Sequence, residues 1–488
     1  MSERKLAQNT IFYTTALAAQ KALSFLYFIF VARLIGVESQ GKFSFALSFT
    51  TIFAMLLDIG MTQILIRETA RSKENSQKYL ANVIGLKVLG SFFIYALVVA
   101  LINIMGYPEL TKELVYVAGL VMIIDSFTLS FYGVIRGHQN LRYESIGVVV
   151  NQVIVLCSGL AVLYLHLGLV ILISVYLLGS LFNFFFSLSI LKLKFQIKPG
   201  ITWNGAVIRR ILIWSLPFAI AGIFSRIYSA LDVVLLSKLS TDHAVGIYIV
   251  AYKIAFALQF VALAFSASIY PAFCHYFVHS KEKLGELFVK AMYWLVLLAL
   301  PLSFGVIAIA DKAVVPIFGL KYQQSILPLQ ILMTSLIFIF ICFPIGAMLN
   351  ASNKQTRNTI NLGLTALFNA VANLILIPRF SFVGSAIANL LSYLLLFVLG
   401  ITAVNRIIDY DKKYLLRSLG KIIICCLGML AAVLLLKAYL NFIIVICLGA
   451  AIYFLLAYAF KLISPQAARE FIRQLTKRKN ETYEEIID

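Results

Sequence analysis

Four basic side chains lie inside segments that are otherwise apolar, which makes them the residues best placed to act on a charged ligand. They are Lys21, Lys87, Arg226 and Lys253. A cation at the centre of a bilayer costs about 2.5–3.5 kcal/mol on insertion scales, so such residues line water-filled cavities or pair with acids rather than face lipid. They predict a cationic cavity that binds an anionic group, such as a phosphate, within the membrane.

Some of these bases have a structural alternative. Arg226 and Lys253 could instead pair with Asp232 or with a neighbouring carbonyl oxygen. Lys87 lies near the predicted cytoplasmic end of its helix, where a lysine can extend its amine to the interface. Both alternatives stay open at the level of the sequence.

Three acidic residues, Asp58, Asp125 and Asp232, also lie within apolar segments. In transporters such groups bind a coupling proton or sodium ion, and the position of Asp125 in the middle of its helix makes it the best candidate. The alternatives are a salt bridge from Asp125 to Lys21 or Lys87, and local capping or pairing by Asp58 near the membrane edge.

No other cofactor chemistry is indicated. His275 and His279 share a helical face beside Cys274, but a zinc site needs three or four ligands, so we predict no metal. The sequence contains no Gly-x-x-x-x-Gly-Lys-Ser/Thr segment, which argues against direct ATP hydrolysis. A transporter with these residues would use H⁺ or Na⁺, or the gradient of the substrate itself.

The elements that position these residues are membrane helices. The 488 residues are 61% hydrophobic and 13% charged, with mean hydropathy +0.94, which is too apolar for a soluble fold. Apolar segments of about 20 residues recur along the chain, so we predict an all-α integral membrane protein of about 14 transmembrane helices. We place them at residues 10–35, 41–64, 81–105, 113–135, 145–164, 168–191, 211–236, 243–271, 288–310, 324–349, 358–378, 382–405, 418–436 and 441–462.

Orientation follows from the basic residues. Most of the 41 Lys and Arg fall in the loops on the side of the two termini, which predicts that both termini are cytoplasmic. The bases are spread over many short loops and form no single face, so no nucleic-acid partner is predicted.

An internal repeat divides the chain. Residues 33–43 resemble residues 238–248, with Gly41 aligned to Gly246 and Phe43 to Tyr248. We predict an N-terminal lobe at 1–192, a cytoplasmic linker at 193–210, a C-terminal lobe at 211–405, two further helices at 406–462 and a cytoplasmic tail at 463–488. Duplication that serves stability alone is the alternative.

Three prolines interrupt predicted helices of the second half: Pro217, Pro301 and Pro344. They are hinge candidates, since proline removes a helical hydrogen bond and bends the helix. Static kinks that shape a cavity are the alternative.

Short motifs follow one another in a recognisable order: RLIG at 33–36, DIG at 58–60, RG at 136–137, LP at 216–217, GIY at 246–248 and GSA at 384–386. In this order and spacing the chain resembles the polysaccharide-transporter branch of the superfamily that also holds multidrug and toxin extruders, and within it the O-antigen or Wzx-type flippases. The resemblance covers nearly the whole chain.

This resemblance implies both a fold and a substrate. The fold is two six-helix lobes in a V around a central cavity, plus two C-terminal helices. The substrate is an oligosaccharide on a polyprenyl pyrophosphate, flipped from the cytoplasmic to the outer leaflet of a bacterial or archaeal cytoplasmic membrane for surface polysaccharide biosynthesis. Membrane lipid and a polysaccharide polymerase machinery are the other expected partners.

Three other functions compete with this one. A cation-coupled multidrug extruder would favour an acidic cavity, whereas four bases here face three acids. A lipid II flippase would be similarly equipped with cations. A membrane-embedded glycosyltransferase or polymerase would need a larger outer loop, because the longest predicted one, 310–325, holds only Asp311, Lys312 and Lys321 as charges. We therefore predict that the chain is not an enzyme.

Overall fold

The structure is a computed structural model that describes residues 3–463, with side chains from residue 12 onward except at 217, 218, 220, 221, 225 and 227. The described residues form helices and no strand. The helices are α1 (Glu3–Ile35), α2 (Val37–Asp58), α3 (Met61–Arg71), α4 (Ser76–Ile104), α5 (Glu109–Gly137), α6 (Arg142–Tyr164), α7 (Leu169–Lys194), α8 (Gly205–Leu239), α9 (Asp242–Ala257), α10 (Gln259–His279), α11 (Lys281–Phe318), α12 (Ile326–Ala351), α13 (Gln355–Val404), α14 (Lys412–Leu436) and α15 (Phe442–Ala459).

Twelve stretches within residues 3–463 are long and apolar enough to cross a membrane. One of them, α13, has 50 residues, or about 75 Å at the rise of an α-helix, which is enough for two crossings. It breaks at Ser381, where φ is 50° and ψ −130°, between the predicted helices 358–378 and 382–405. With α8 at the position of the predicted helix 211–236, the all-α membrane fold of about fourteen spans is confirmed.

Several predicted boundaries were wrong. The predicted helix 41–64 ends at Asp58, because Ile59 and Gly60 adopt left-handed backbone angles, and α3 begins after them. The predicted helix 243–271 is two consecutive helices, α9 and α10. The predicted outer loop 310–325 is mostly helical, because α11 continues to Phe318 and a 3₁₀ helix follows at Leu320–Ser325.

The chain divides into two compact units, Met1–Ile249 and Val250–Asp488. In the first unit α5 packs against α2, α4 and α7, α1 packs against α6, and α8 packs against α2. Phenylalanines of α2 form much of the interior of this unit. They are Phe43, Phe45, Phe49 and Phe53. Close van der Waals contact between such side chains is what holds membrane helices together, since lipid is as apolar as they are.

Residues 200–204 of the predicted linker lie against α4. The buried Asn82 side chain donates to Thr202 Oγ1 at 3.1 Å and accepts from the Asn204 backbone N–H at 2.8 Å. The Asn204 side chain in turn accepts from the Val207 backbone N–H and caps α8. The linker therefore fixes where α8 begins. The predicted division into lobes at 193–210 stays a prediction.

In the second unit α12 packs against α10, α11 and α13, and α14 packs against α11 and α15. Polar contacts attach the last two helices to α11: Tyr453 donates to the Leu297 carbonyl oxygen at 2.7 Å, and Lys437 pairs with Asp311 at 3.2 Å. Pro301 and Pro344 lie inside α11 and α12, and position 217 lies inside α8. Their role as hinges stays a prediction. The predicted tail lies outside the described residues from position 464 onward.

Candidate functional site

The structure separates the seven predicted charged residues into two groups, and the first is buried and bonded. Lys87 of α4 is fully buried, and its Nζ donates to Asp58 Oδ1 at 2.7 Å and to the Ser126 carbonyl oxygen at 2.8 Å. Thr62 donates to the same Asp58 oxygen at 2.5 Å. The pair therefore joins α2, α3, α4 and α5, and Lys87 does not extend toward an interface.

Asp232 of α8 belongs to the same group. It is buried, and the Tyr248 hydroxyl of α9 donates to its Oδ2 at 2.8 Å. The alternative pairing with Arg226 is not observed, since Arg226 forms no ion pair with any described side chain. Tyr248 is also the residue that the internal repeat aligns with Phe43.

The second group consists of exposed charges. The side chains of Lys21 in α1, Asp125 in α5, Arg226 in α8 and Lys253 in α9 are all exposed. Lys21 and Asp125 form no ion pair with any described side chain, and the Asp125 carboxyl interacts with the Ser180 hydroxyl of α7. Because a charge exposed in the middle of a membrane helix is stable only where water reaches it, these four positions indicate solvated surfaces within the membrane.

A close backbone crossing lies at the ends of α2 and α9. A β carbon at Gly41 would lie 1.8 Å from the Asp242 carbonyl oxygen, and one at Gly246 would lie 2.0 Å from the Val37 carbonyl oxygen. The internal repeat aligns Gly41 with Gly246 and, by the same offset, Val37 with Asp242. The two contacts are thus equivalent under the repeat. We call these four residues the glycine crossing.

Polar contacts surround the glycine crossing. Tyr107 donates to Ser237 Oγ at 3.2 Å, and Ser237 donates to Asp242 Oδ1 at 3.2 Å. Lys238 Nζ donates to the Met105 carbonyl oxygen at 2.7 Å. Burial raises the pKa of the Tyr107 phenol, so the phenol keeps its proton and can donate it to Ser237. Together these contacts join the ends of helices on one side of the first unit. Residues 36, 105–108 and 240–241 lie on that side.

Two polar groups were not predicted from the sequence. Arg136 forms a bidentate pair with the buried Glu144, and Tyr13 donates to the same carboxylate at 3.3 Å. In α13 a column of buried amides includes Asn361 and Asn369. The signals were available: Arg136 and Glu144 flank a short turn between two helices, and the asparagines recur at helical spacing.

Comparison with known proteins decides the family. A family model described as "Polysaccharide biosynthesis protein" matches residues 6–277, which is more than half of the chain. The chain belongs to this family. The resemblance inferred from the motifs at 33–36, 58–60 and 246–248 is therefore confirmed.

Individual relatives are distant but cover most of the chain. The "Probable low-salt glycan biosynthesis flippase Agl15" of Haloferax volcanii is 23% identical over 80% of this chain and 81% of its own length. The "Capsular polysaccharide biosynthesis protein CapF" of Staphylococcus aureus is 21% identical over 78% of this chain and 93% of its own. The solved structure "Lipid II flippase MurJ, inward closed conformation" has a TM-score of 0.77 at 16% identity, covering 95% of this chain and 100% of that one, which shows a common fold.

Proposed function

We propose that the chain flips a polyprenyl-pyrophosphate-linked oligosaccharide from the cytoplasmic to the outer leaflet of a bacterial or archaeal cytoplasmic membrane, for surface polysaccharide biosynthesis. Its family and its similarity to a probable glycan biosynthesis flippase and to a capsular polysaccharide biosynthesis protein support a flippase-type transporter of lipid-linked glycans. The observation that carries the proposal is Arg226, a cation within a membrane helix that is exposed and forms no ion pair with any described side chain.

The physical requirement is charge compensation inside the membrane. A pyrophosphate loses its hydration at large cost when it leaves water, and only fixed cations or dipoles replace that hydration. The guanidinium of Arg226 offers a planar fork that matches two phosphate oxygens, whereas Lys21 and Lys253 act as point charges. The polyprenyl chain stays in lipid throughout, so the cavity has to accept only the head group and the glycan.

We assign Lys87 a supporting role. A buried amine that already donates to Asp58 and to a carbonyl oxygen has little capacity left for a substrate. Its pair with Asp58 is better suited to hold α2 and α4 in register around the site.

We propose Asp125 as the residue that couples transport to an ion gradient. It is exposed and without an ion pair to any described side chain, whereas Asp58 and Asp232 are already bonded. Binding of H⁺ or Na⁺ there would neutralise the Asp125 carboxylate, which the carrier has to move when it changes conformation without substrate. With both termini cytoplasmic, the glycine crossing lies at the outer face, and its close contacts support alternating access from a state that is closed outward.

A lipid II flippase is the second candidate function. The shared fold with the MurJ structure over the whole length of that chain favours it. Both substrates carry a polyprenyl pyrophosphate, so the same cations serve either, and the two functions differ only in the glycan.

Reconstituted vesicles test the proposal. The purified chain is placed in liposomes that carry either a radiolabelled polyprenyl-pyrophosphate oligosaccharide or lipid II in the inner leaflet, and exposure of the glycan to an added glycosidase or lectin is followed. We expect protein-dependent exposure of the oligosaccharide lipid, faster than that of lipid II. Exposure of lipid II alone would support the second candidate, and exposure of neither would contradict both.

A further inference from the structure

A group of basic and aromatic side chains lies where α3 meets α8, apart from the charges described above. The Arg67 guanidinium of α3 lies 4.3 Å from the centroid of the Trp214 ring, and the Arg210 guanidinium of α8 lies 5.1 Å from it. We call Arg67, Arg71, Arg210 and Trp214 the Trp214 cluster. Contact with one indole holds two like charges close together, since each is attracted to the ring.

The positive charge of this cluster is only partly compensated. Arg67 Nε donates to Glu68 Oε1 at 2.9 Å, and Arg71 contacts the same oxygen at 3.4 Å. Arg210 donates to the Tyr79 hydroxyl, which is neutral, at 3.4 Å. Two guanidinium groups therefore share one carboxylate and the third has only a neutral partner, so the cluster keeps an excess of positive charge.

One hydrogen-bond donor of the cluster has no acceptor among the described residues. The Nη2 atom of Arg67 is buried and has no hydrogen-bond partner among the described residues. A buried guanidinium N–H without an acceptor is costly, so its presence indicates an acceptor that the described residues do not supply. Arg210 is exposed beside it and could contact the same acceptor.

The surroundings place the cluster at the level of lipid head groups. Large apolar side chains are exposed along the segment that contains Trp214, at Ile201 and Trp203 on the linker and at Ile213 and Leu216 on α8. Tryptophan and arginine beside exposed aliphatic residues are typical of the membrane interface. The acceptor that matches this position and this charge is a phosphate.

We propose that the Trp214 cluster binds the phosphate group of an anionic lipid at the cytoplasmic interface, with Arg67 and Arg210 as its ligands. Two sources share this chemistry. One is the head group of a membrane phospholipid. The other is the pyrophosphate of the lipid-linked substrate before it enters the helices, and only this second source rests on the proposed function.

The fluorescence of Trp214 reports binding directly. The chain contains three tryptophans, so a variant with Trp203→Phe and Trp294→Phe leaves Trp214 alone. This variant is titrated in neutral detergent with farnesyl pyrophosphate, with a short-chain phosphatidylglycerol and with the matching phosphatidylcholine. We expect a saturable change with the anionic lipids only.

Substitutions identify the ligands. Arg67→Gln and Arg210→Gln should each weaken binding about tenfold, the effect of losing one charge-assisted hydrogen bond. Arg209→Gln is the matched control, because Arg209 is a neighbouring exposed base on α8 and should leave the affinity within about twofold. Arg67→Lys keeps the charge but loses the planar guanidinium with its paired N–H donors, so it should bind more tightly than Arg67→Gln and more weakly than the unaltered chain. Arg210 is exposed, so its variant keeps the test decisive if an Arg67 variant does not fold.

The two sources give different outcomes. Tighter binding of farnesyl pyrophosphate by tenfold or more would assign the cluster to the substrate, and equal or tighter binding of phosphatidylglycerol would assign it to the membrane. The absence of any saturable change would overturn the proposal. So would equal affinities for phosphatidylcholine and phosphatidylglycerol that do not change in the Arg67→Gln and Arg210→Gln variants. Phosphatidylglycerol binding by a chain that fails to flip glycan lipids would leave the cluster standing and refute the proposed function.

Discussion

Gly246 lies so close to Val37 that a β carbon there would come within 2.0 Å of the Val37 carbonyl oxygen. Gly41 meets Asp242 in the same way, and the internal repeat relates the two contacts. No side chain larger than hydrogen fits at either position unless the two helices move apart. The glycine crossing is thus a closed contact between equivalent segments of the two sequence repeats.

We predict that Gly246→Leu opens this end of the protein. A side chain at position 246 separates α9 from α2, so a cysteine introduced at Val37 should react faster with a membrane-impermeant maleimide in intact cells. Gly420→Leu is the control, because a β carbon at Gly420 meets nothing within 4 Å. An unchanged rate of labelling at position 37 would show that the crossing does not close the outer face.

The buried pair predicts a large effect on stability. Lys87→Ala should lower the free energy of unfolding by about 3–5 kcal/mol, because it leaves Asp58 charged and buried without its partner. Thermal unfolding in detergent measures this change. The control is Lys42→Ala, since Lys42 pairs with Glu38 at the same 2.7 Å but at the surface, where a pair contributes about 0–1 kcal/mol.

The double variant Lys87→Met with Asp58→Leu separates pairing from packing. Apolar side chains of similar volume often replace a buried pair at little cost, so it should recover most of the stability. A double variant as unstable as Lys87→Ala would show that the helices need these polar contacts for another reason.

Arg226 should affect transport without affecting stability. Its side chain is exposed and in no ion pair with a described side chain, so Arg226→Ala should lower the flipping rate about tenfold or more and leave the unfolding temperature unchanged. Arg226→Lys should restore part of the rate, since the charge returns without the fork. Arg142→Ala, at an exposed helix start, serves as control. Equal rates for Arg226→Ala and the unaltered chain would remove Arg226 from the site.

Asp125 should determine ion coupling. Asp125→Asn mimics the neutralised carboxyl, so flipping in vesicles should no longer respond to an imposed proton or sodium gradient, while Asp125→Glu should still respond. The ion whose gradient drives the unaltered chain is the coupling ion. A full response in Asp125→Asn would place coupling at another residue.

Hydropathy and charge were sufficient to predict the membrane fold, because each span has to be about 20 apolar residues long whatever it packs against. The break at Ser381 was predicted between two helices for the same reason. The division of α9 from α10 at Leu258 was missed, since no glycine or proline stands there. The repeat aligned Gly41 with Gly246, but only the structure brought each against the backbone of the other repeat.

The charged residues were recognised from the sequence, but their partners were not. Lys87 pairs with Asp58 and Arg67 contacts Trp214, and each contact joins different helices. Such contacts depend on how each helix is rotated about its axis, which hydropathy does not specify. Arg226 and Lys87 were therefore both predicted to line a cationic cavity, whereas one is exposed and the other buried.

The most direct test of the central claim is the lipid content of cells that lack the gene. We predict that polyprenyl-pyrophosphate oligosaccharide accumulates in the extracted lipids, as measured by mass spectrometry, and that surface polysaccharide disappears. The intact gene should reverse both changes, and the gene with Arg226→Ala should not. Unchanged lipids together with greater sensitivity to cationic drugs would contradict the flippase function and favour a multidrug extruder.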